Sequence, residues 1–513
     1  MTVTGWPARA PRAPDASPAP DPRPEIEWLI DNAQAYASLL DAIRVARRSV
    51  WIAQLALDAD CVAHARDGGA DENVLDALLV AASRLEVDVR VLLNATLLLD
   101  TARPLQRSLD ARPSGDRIRV RGVRRFPQLL HAKIVIIDGS HAFLLGSPFA
   151  NGYWDDSTHR PVDARRPVRE LGGRPVHDVS VRVAGAAVRQ LERVFRELWQ
   201  SAAPEGATEI DHREHSPAHG AQGAPPRIVC TAPRGALRTR PEGSTEILDA
   251  LLDGIGRARS LIYIEHQYLS ARPVVAALAD ALRREPALEL VMVLNQNPDV
   301  TAYRRWQNAR LREHGLLEHP RAGVFGLWSA ARSLERGGVT VVNQIFVHSK
   351  AVIIDDAWAM LGTANLDGVS LHSYGDDFAG PIMRRVFRDV RNFDVNVVSD
   401  SPRCTRSITD LRERLWGEHL GLSRARLAKR PREGWLATWR ARARDFTSAL
   451  NGGALPAKSG GLRAHVLPFS HQPTPRRQLA AAGVRLGAGL DIRFDPSWLE
   501  VHCSPGWVRN MFA

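Results

Sequence analysis

The chain has 513 residues, 44% hydrophobic and 24% charged, the proportions of a globular protein with room for two or three domains and a large core. Its formal net charge of +11 and pI near 10.1 favour anionic partners, phospholipid surfaces or nucleic acid, without choosing between them. No stretch approaches eighteen apolar residues, and Cys61, Cys230, Cys404 and Cys503 stand far apart with no CxxC and no His at metal spacing. A transmembrane helix, a disulfide framework and a zinc site are therefore not expected, and a reducing compartment is.

Residues 1–24 are rich in Pro and Ala, a disordered composition that lacks the apolar core of a signal peptide. The spacing of Leu39, Leu40 and Ile43 predicts a helix from Pro24 to Ala46. Ser49–Ala53 reads as a buried strand, Asn73–Ala82 as a helix and Val87–Leu93 as a strand. The Pro- and Arg-rich stretch 153–175 reads as a loop able to cover a site. Asp178–Val183 reads as a strand, and Val188, Leu191, Phe195, Leu198 and Trp199 form one helical face.

Between these elements lies a stretch that the chain writes twice. The first copy is His131-Ala-Lys133-Ile-Val-Ile-Ile-Asp138, then Gly146-Ser147. The second is His348-Ser-Lys350-Ala-Val-Ile-Ile-Asp355, then Gly362-Thr363-Ala364-Asn365. Each apolar run is a short strand entering a turn, so His and Lys two residues apart project to one side. An imidazole beside an ammonium suits a phosphate: Lys supplies charge, and His a nucleophile or a proton. The chain holds 64 Arg and only four Lys, yet two of the four sit in this context. Residues 201–226 lack periodicity and read as a linker. Beyond them Leu251-Leu-Asp-Gly-Ile answers Leu39-Leu-Asp-Ala-Ile, and Arg412-Glu-Arg-Leu-Trp416 answers Phe195-Arg-Glu-Leu-Trp199. The near-constant offset is that of a duplicated domain. Alternating helices and strands make each copy an α/β sandwich.

The doubled motif resembles the signature of the phospholipase D superfamily: His-x-Lys, four residues, Asp, six residues, Gly-Ser/Thr-x-Asn. The second copy fits it fully. In the first, Gly146 comes one residue late and Phe149 stands where Asn is expected, with Asn151 two residues beyond. The resemblance spans roughly residues 25–421. It implies an α/β protein of two pseudo-symmetric halves (25–204 and 227–421, joined by 205–226) sharing one site, with a basic C-terminal extension (422–513). It also implies a phosphodiesterase acting through a phosphohistidine, with His131 as nucleophile, His348 as general acid, and Lys133, Lys350 and Asn365 on the phosphoryl group, assisted by Ser147 and Thr363. Asp178 and Asp394 correspond to the acids that orient the two histidines, and Asp138 and Asp355 are read as structural acids of the hairpin turns. The scheme needs neither cofactor nor metal. Ile264-Glu265-His266-Gln267-Tyr268 resembles a strand of phospholipase D and phosphatidyltransferase members and is read as pocket lining.

The expected substrate is a glycerophospholipid met at a membrane surface by a monomeric, cytoplasmic or peripheral membrane protein. A cardiolipin-synthase-like phosphatidyltransferase, a nuclease and a non-catalytic anionic-ligand-binding protein are the alternatives. His141, His159, His177, His266 and His372 are read as surface or loop residues. Ser423–Phe446 carries Trp435 and Trp439 one helical turn apart. It admits two readings: a basic helix packed through its Trp face, or an interfacial helix with Trp at headgroup level.

Overall fold

Ser49–Ala53, Ile134–Ile137 and His141–Leu144 are buried along their whole lengths, as central strands of a sheet covered on both faces are. In a computed structural model, residues 25–65, 70–96, 99–168, 171–203, 226–333, 337–378, 380–452, 465–487 and 489–494 are described. The tail 1–24 and nearly all of the expected linker lie outside these residues.

The first sheet has the order Ile26–Ile30, Val179–Ala184, His141–Leu144, Ile134–Ile137, Ser49–Ala53, Asp88–Asn94, Ile118–Val123. The first four pairings are antiparallel and the last two parallel. The second sheet repeats this pattern with Arg227–Ala232, Asp394–Ser399, Trp358–Gly362, Lys350–Ile354, Leu261–His266, Glu289–Leu294 and Ala322–Ser333. Its pairings have the same sense at every step. It then grows beyond the repeat. Val339–Gln344 pairs with Ala322–Ser333, and Leu490–Ile492 and Val466–Pro468 from the C-terminal extension join the same edge.

Helices Asn32–Val45 and Val74–Ser83 pack on the outer face of the first sheet. Glu246–Arg257 and Arg272–Arg284 do the same on the second. The inner faces share one apolar cluster. It joins Ile134, Ile136, Val181 and Trp199 of the first repeat to Ala351, Ile353, Val395 and Trp416 of the second. This continuous core fixes the two repeats face to face.

The helix expected from Pro24 is instead a strand, Ile26–Ile30, followed by a helix that begins at Asn32. Ile26, Trp28, Leu29 and Ile30 are buried and Glu27 alone in the strand is half-buried, as in a strand covered on both faces, and Val179–Ala184 offers an edge that satisfies the backbone. The Trp pair of the extension also resolves. Trp435 is 4% exposed and Trp439 0%, and Trp439 packs on Tyr263, Phe325 and Trp416 at ring separations of 5.2–5.8 Å. Their rings are part of the core, so the interfacial-helix reading falls. The reason is geometric: the groove beside Tyr263 and Trp416 accepts the apolar face of Trp435–Gly452 and leaves its arginines outside. Trp439→Ala is expected to cost ~3–5 kcal/mol of stability, the usual price of emptying a buried aromatic site; a denaturant titration measures this, and a loss well under 1 kcal/mol contradicts the packing described.

Candidate active site

Two short backbone pairings cross between the repeats. Val176–His177 runs parallel to Phe346–Val347, with His348 N donating to His177 O at 2.8 Å. On the other side Leu130 bridges Phe393, and His131 N donates to Phe393 O at 2.9 Å. Each segment that leads into a motif histidine therefore lies against the segment that leads into the acid of the opposite repeat. His131 Nδ1 lies 2.6 Å from Asp394 Oδ1, and His348 Nδ1 lies 2.9 Å from Asp178 Oδ2. A carboxylate on Nδ1 sets the tautomer and orientation of the ring, leaving Nε2 as the reactive position. All four side chains are at most 1% exposed.

The lysines complete the arrangement. Lys133 Nζ donates to His131 O at 2.9 Å, and Lys350 Nζ donates to His348 O. Lys350 Nζ also lies 3.1 Å from His348 Nε2 and 3.2 Å from its Nδ1, against the imidazole ring. Burial pulls His348 to about 3, with Lys350 adding to the fall and Asp178 opposing it. Burial likewise lowers His131, helped by Lys133 and opposed by Asp394. Lys350 is brought down to about 8 by burial, against Asp178 and Asp394, and Lys133 falls well below the ordinary ammonium value through burial and the charge of Lys350. Burial alone would raise the two acids. His348 and Lys350 hold Asp178, and His131 and Lys133 hold Asp394, below the usual carboxylate value instead. Both lysines feel both acids, so the two motifs occupy one neighbourhood.

The glycines of the motif permit this crowding. A Cβ on Gly146 would fall 1.9 Å from Asp178 Oδ1, and one on Gly362 would fall 2.4 Å from Asn396 Oδ1. The late position of Gly146 does no harm, because the strand His141–Leu144 ends one residue earlier than Trp358–Gly362. Ser147 still hydrogen-bonds Asp178, as Thr363 Oγ1 does Asp394 at 2.8 Å. The missing amide of the first repeat is real. Phe149 is fully buried against Tyr36. Asn151 is taken up with Val62 N and Asp60 O, so it does not replace the Asn. Asn32 Nδ2 instead reaches Ser147 Oγ at 2.9 Å. In the second repeat Asn365 is 3% exposed and its Oδ1 has no hydrogen-bond partner.

Asp138 accepts from the backbone N–H groups of Arg47, Arg48 and Ser49, and Asp355 from those of Arg259, Ser260 and Leu261. They tie the hairpin turns to the neighbouring strands. Two residues passed over in the sequence position the histidine segments. Asn94 exchanges hydrogen bonds with Leu130 N and O, and Asn295 does so with Val347 N and O. Each interrupts an apolar strand end at the same place in its repeat, which is the signal that marks them. The surface reading of the other histidines is corrected. His159, His177 and His266 are at most 2% exposed and His141 is 9% exposed; His372 alone of the five is half-buried. His266 lies opposite Lys350 on the adjacent strand, where burial and that ammonium pull it to about 3. Glu265 sits between His177 and His419 at the junction of the repeats. Tyr153, where the 153–175 stretch begins, places its ring 4.8 Å from that of His348.

Residues 39–151 and 251–416, together more than half of the chain, match the family described as "Cardiolipin synthase, PLD-like domain". Phospholipase D A of Dictyostelium discoideum is 23% identical over 354 residues, 57% of this chain and 27% of that protein. Phospholipase D zeta 1 of Arabidopsis thaliana is 32% identical over 108 residues, 21% of this chain and 9% of that protein. The chain thus spans about a quarter or less of the length of these relatives. The crystal structure of phosphatidylserine synthase from Haemophilus influenzae Rd KW20 superposes with a TM-score of 0.51 at 13% identity, covering 76% of this chain and 85% of that one, which shows a common fold. The chain belongs to the phospholipase D-like family, with the family's domain present twice.

Proposed function

We propose that the chain is a phosphodiesterase that hydrolyses or transfers the phosphatidyl group of a glycerophospholipid through a phosphohistidine. The observation that carries this reading is the pair of crossed His–carboxylate contacts, each histidine accompanied by a buried lysine. His131 Nε2 attacks phosphorus and the bond to the headgroup oxygen breaks. The anionic phosphoryl group offsets the Lys350 charge that helps hold His348 low, so His348 takes up a proton on Nε2 and gives it to the departing alkoxide. Water or a second alcohol then gives its proton to His348 as its oxygen attacks phosphorus and releases His131. Lys133, Lys350 and Asn365 neutralise the phosphoryl oxygens as charge builds. Both motifs stand in one chain, so residues 25–204 and 227–421 make a complete site in a monomer.

The lipid substrate has its own support. Helix Pro381–Val386 has no buried residue and packs on the segment Tyr374–Asp377 that follows the second motif. It exposes Ile382 (76%), Met383 (40%) and Val386 (62%) beside Arg384 and Arg385. An apolar and basic patch of this kind suits a peripheral contact with an anionic lipid surface. Among the described residues no helix is long and apolar enough to cross a membrane. Transfer to a second lipid alcohol is the alternative outcome of the same chemistry, favoured by the description of the matched family.

Vesicles of phosphatidylcholine and phosphatidylglycerol with added ethanol test the substrate, with plasmid and single-stranded DNA assayed in parallel. Phosphatidic acid or phosphatidylethanol is expected. DNA cleavage without lipid product moves the substrate to nucleic acid. His131→Ala and His348→Ala are each expected to lower turnover by at least ~10²–10⁴-fold, the worth of a positioned acid or base. An active variant at either position refutes the paired-histidine scheme.

The pH profile follows from Lys350. Its value is depressed from the ordinary 10.5 to about 8, so the cationic form that binds phosphate is present below that pH and lost above it. kcat/KM, which reports the free enzyme, is expected to fall as pH rises through about 8. In Lys350→Arg, whose guanidinium stays charged, any residual activity loses this alkaline limb. An unchanged limb in that variant removes Lys350 as its source.

A further inference from the structure

Next to the candidate active site lies a second polar cluster that the proposed chemistry does not use. Asp31 precedes the first helix, His159 lies in the stretch after Tyr153, His177 precedes Asp178, and Glu418 belongs to helix Thr405–Leu420 of the second repeat. Their side chains are 0–1% exposed, apart from Glu418 at 11%. Four donor atoms converge. His177 Nδ1 is 3.0 Å from Asp31 Oδ1 and 2.9 Å from Glu418 Oε1, and His159 Nε2 is 3.1 Å from Glu418 Oε1 and 3.6 Å from Asp31 Oδ1. All four atoms lie within 4.8 Å of one another.

We propose that Asp31, His159, His177 and Glu418 form a closed, tetrahedral site for a divalent transition metal of the zinc class, which fastens the two repeats together behind the Asp178–His348 pair.

Three observations carry this. The first is spacing. Ligand bonds of about 2.0–2.1 Å to a tetrahedral zinc place neighbouring donor atoms roughly 3.3 Å apart, and the four separations above bracket that length. The second is orientation. Both Asp31 oxygens and both His177 nitrogens are buried without a hydrogen-bond partner, although ionisable atoms stand about 3 Å away. Of the four close approaches, only His159–Glu418 has hydrogen-bond geometry. Three of the four approaches are thus close without being hydrogen bonds between the partners. The third is the outer layer. His159 Nδ1 meets Asp155 Oδ2 at 2.9 Å, and His177 Nε2 faces Glu265 Oε1 at 2.7 Å. For His159 this is a hydrogen bond on the nitrogen away from the proposed metal, the arrangement that orients a histidine on zinc, whereas Glu265 lies close to His177 without hydrogen-bond alignment. Those carboxylates are held in turn, Asp155 by Arg166 and Val176 N, and Glu265 by His419 Nε2 and the Tyr263 hydroxyl.

Four protein ligands leave no open position, so the role is structural. Its reach is nonetheless functional. Asp31 N donates to Asp178 O at 2.8 Å, and His177 O accepts from His348 N at the same distance. Two ligands thus abut the backbone that holds the acid and the histidine of one pair.

The test uses full-length protein purified without a polyhistidine tag. Elemental analysis is expected to find about one equivalent of zinc or a similar metal per chain. Replacement by cobalt(II) is expected to give the intense visible absorption of a tetrahedral site, and stripping with a chelator to lower Tm until zinc is restored. His159→Gln and Glu418→Gln are expected to lose the metal. His348→Ala and His372→Gln, which leave the four ligands intact, are expected to keep it. Should one ligand variant fail to fold, Glu418→Gln, at the most exposed ligand, carries the test. Protein that is metal-free as isolated, takes up neither zinc nor cobalt and keeps its Tm with chelator overturns the proposal; the cluster is then an ion-pair network of protonated imidazoles. Metal retained by Glu418→Gln and His159→Gln, or lost from His348→Ala, overturns it as well.

Discussion

The arrangement of the candidate site depends on two short backbone pairings that cross between the repeats. Val176–His177 against Phe346–Val347, and Leu130 against Phe393, bring the end of one repeat's acid-bearing segment alongside the start of the other's histidine-bearing segment. Backbone hydrogen bonds have a fixed reach, so these pairings decide which carboxylate meets which imidazole. The result is an exchange: His131 goes to Asp394 and His348 to Asp178. Neither repeat alone holds an oriented histidine. The duplication is therefore a condition of the geometry, and the shared apolar core between the inner faces keeps the repeats at that distance.

Burying two histidines, two lysines and two aspartates together is costly unless the charges and hydrogen bonds close on themselves. Here the acids remain charged against the lysines, while the imidazoles are pushed toward neutrality. The backbone supports the crowding. Gly146 and Gly362 lie where any side chain would collide with the opposing strand, and Asn94 and Asn295 satisfy the segments just before each histidine. Pre-organised charge of this kind is what a group with anionic oxygens meets most favourably, because the site need not reorganise as it binds.

The symmetry is imperfect, and the differences fall in and around the two motifs. Phe149 replaces an amide by a packed ring, Asn32 approaches Ser147 from the start of the first helix, and Lys350 lies against the imidazole of its own motif. A duplicated frame thus presents two unequal faces to one site. The buried histidines and acids around His177 add a further asymmetry. They draw Asp31, His159 and His177 from one repeat and Glu418 from the other, with no counterpart at the opposite crossing among the described residues.

Much of this was legible in the chain because it lay in local spacing. The doubled His-x-Lys, the rare lysines within an arginine-rich composition, the repeat offset and the β-branched runs are one-dimensional signals. They sufficed for the fold class, the duplicated halves and the residues of the two motifs. The acids Asp178 and Asp394 were visible as a matched pair, but not which histidine each would face, since that depends on pairings between residues 170 and 263 positions apart. Local periodicity extends the helix back over Ile26–Ile30, because the edge that makes this segment a strand lies far along the chain and only the fold supplies it. Trp435 and Trp439 looked the same whether they met lipid or core; the groove beside Tyr263 and Trp416 decided it. His159, His177 and Glu418 carried no motif at all. Sequence by itself determined which reactive side chains each half carries, through residue types at short range; only the tertiary structure decided how the halves exchange their acids and which distant polar groups lie together in a buried cluster, because those contacts are made across the interface and have no local spacing to announce them.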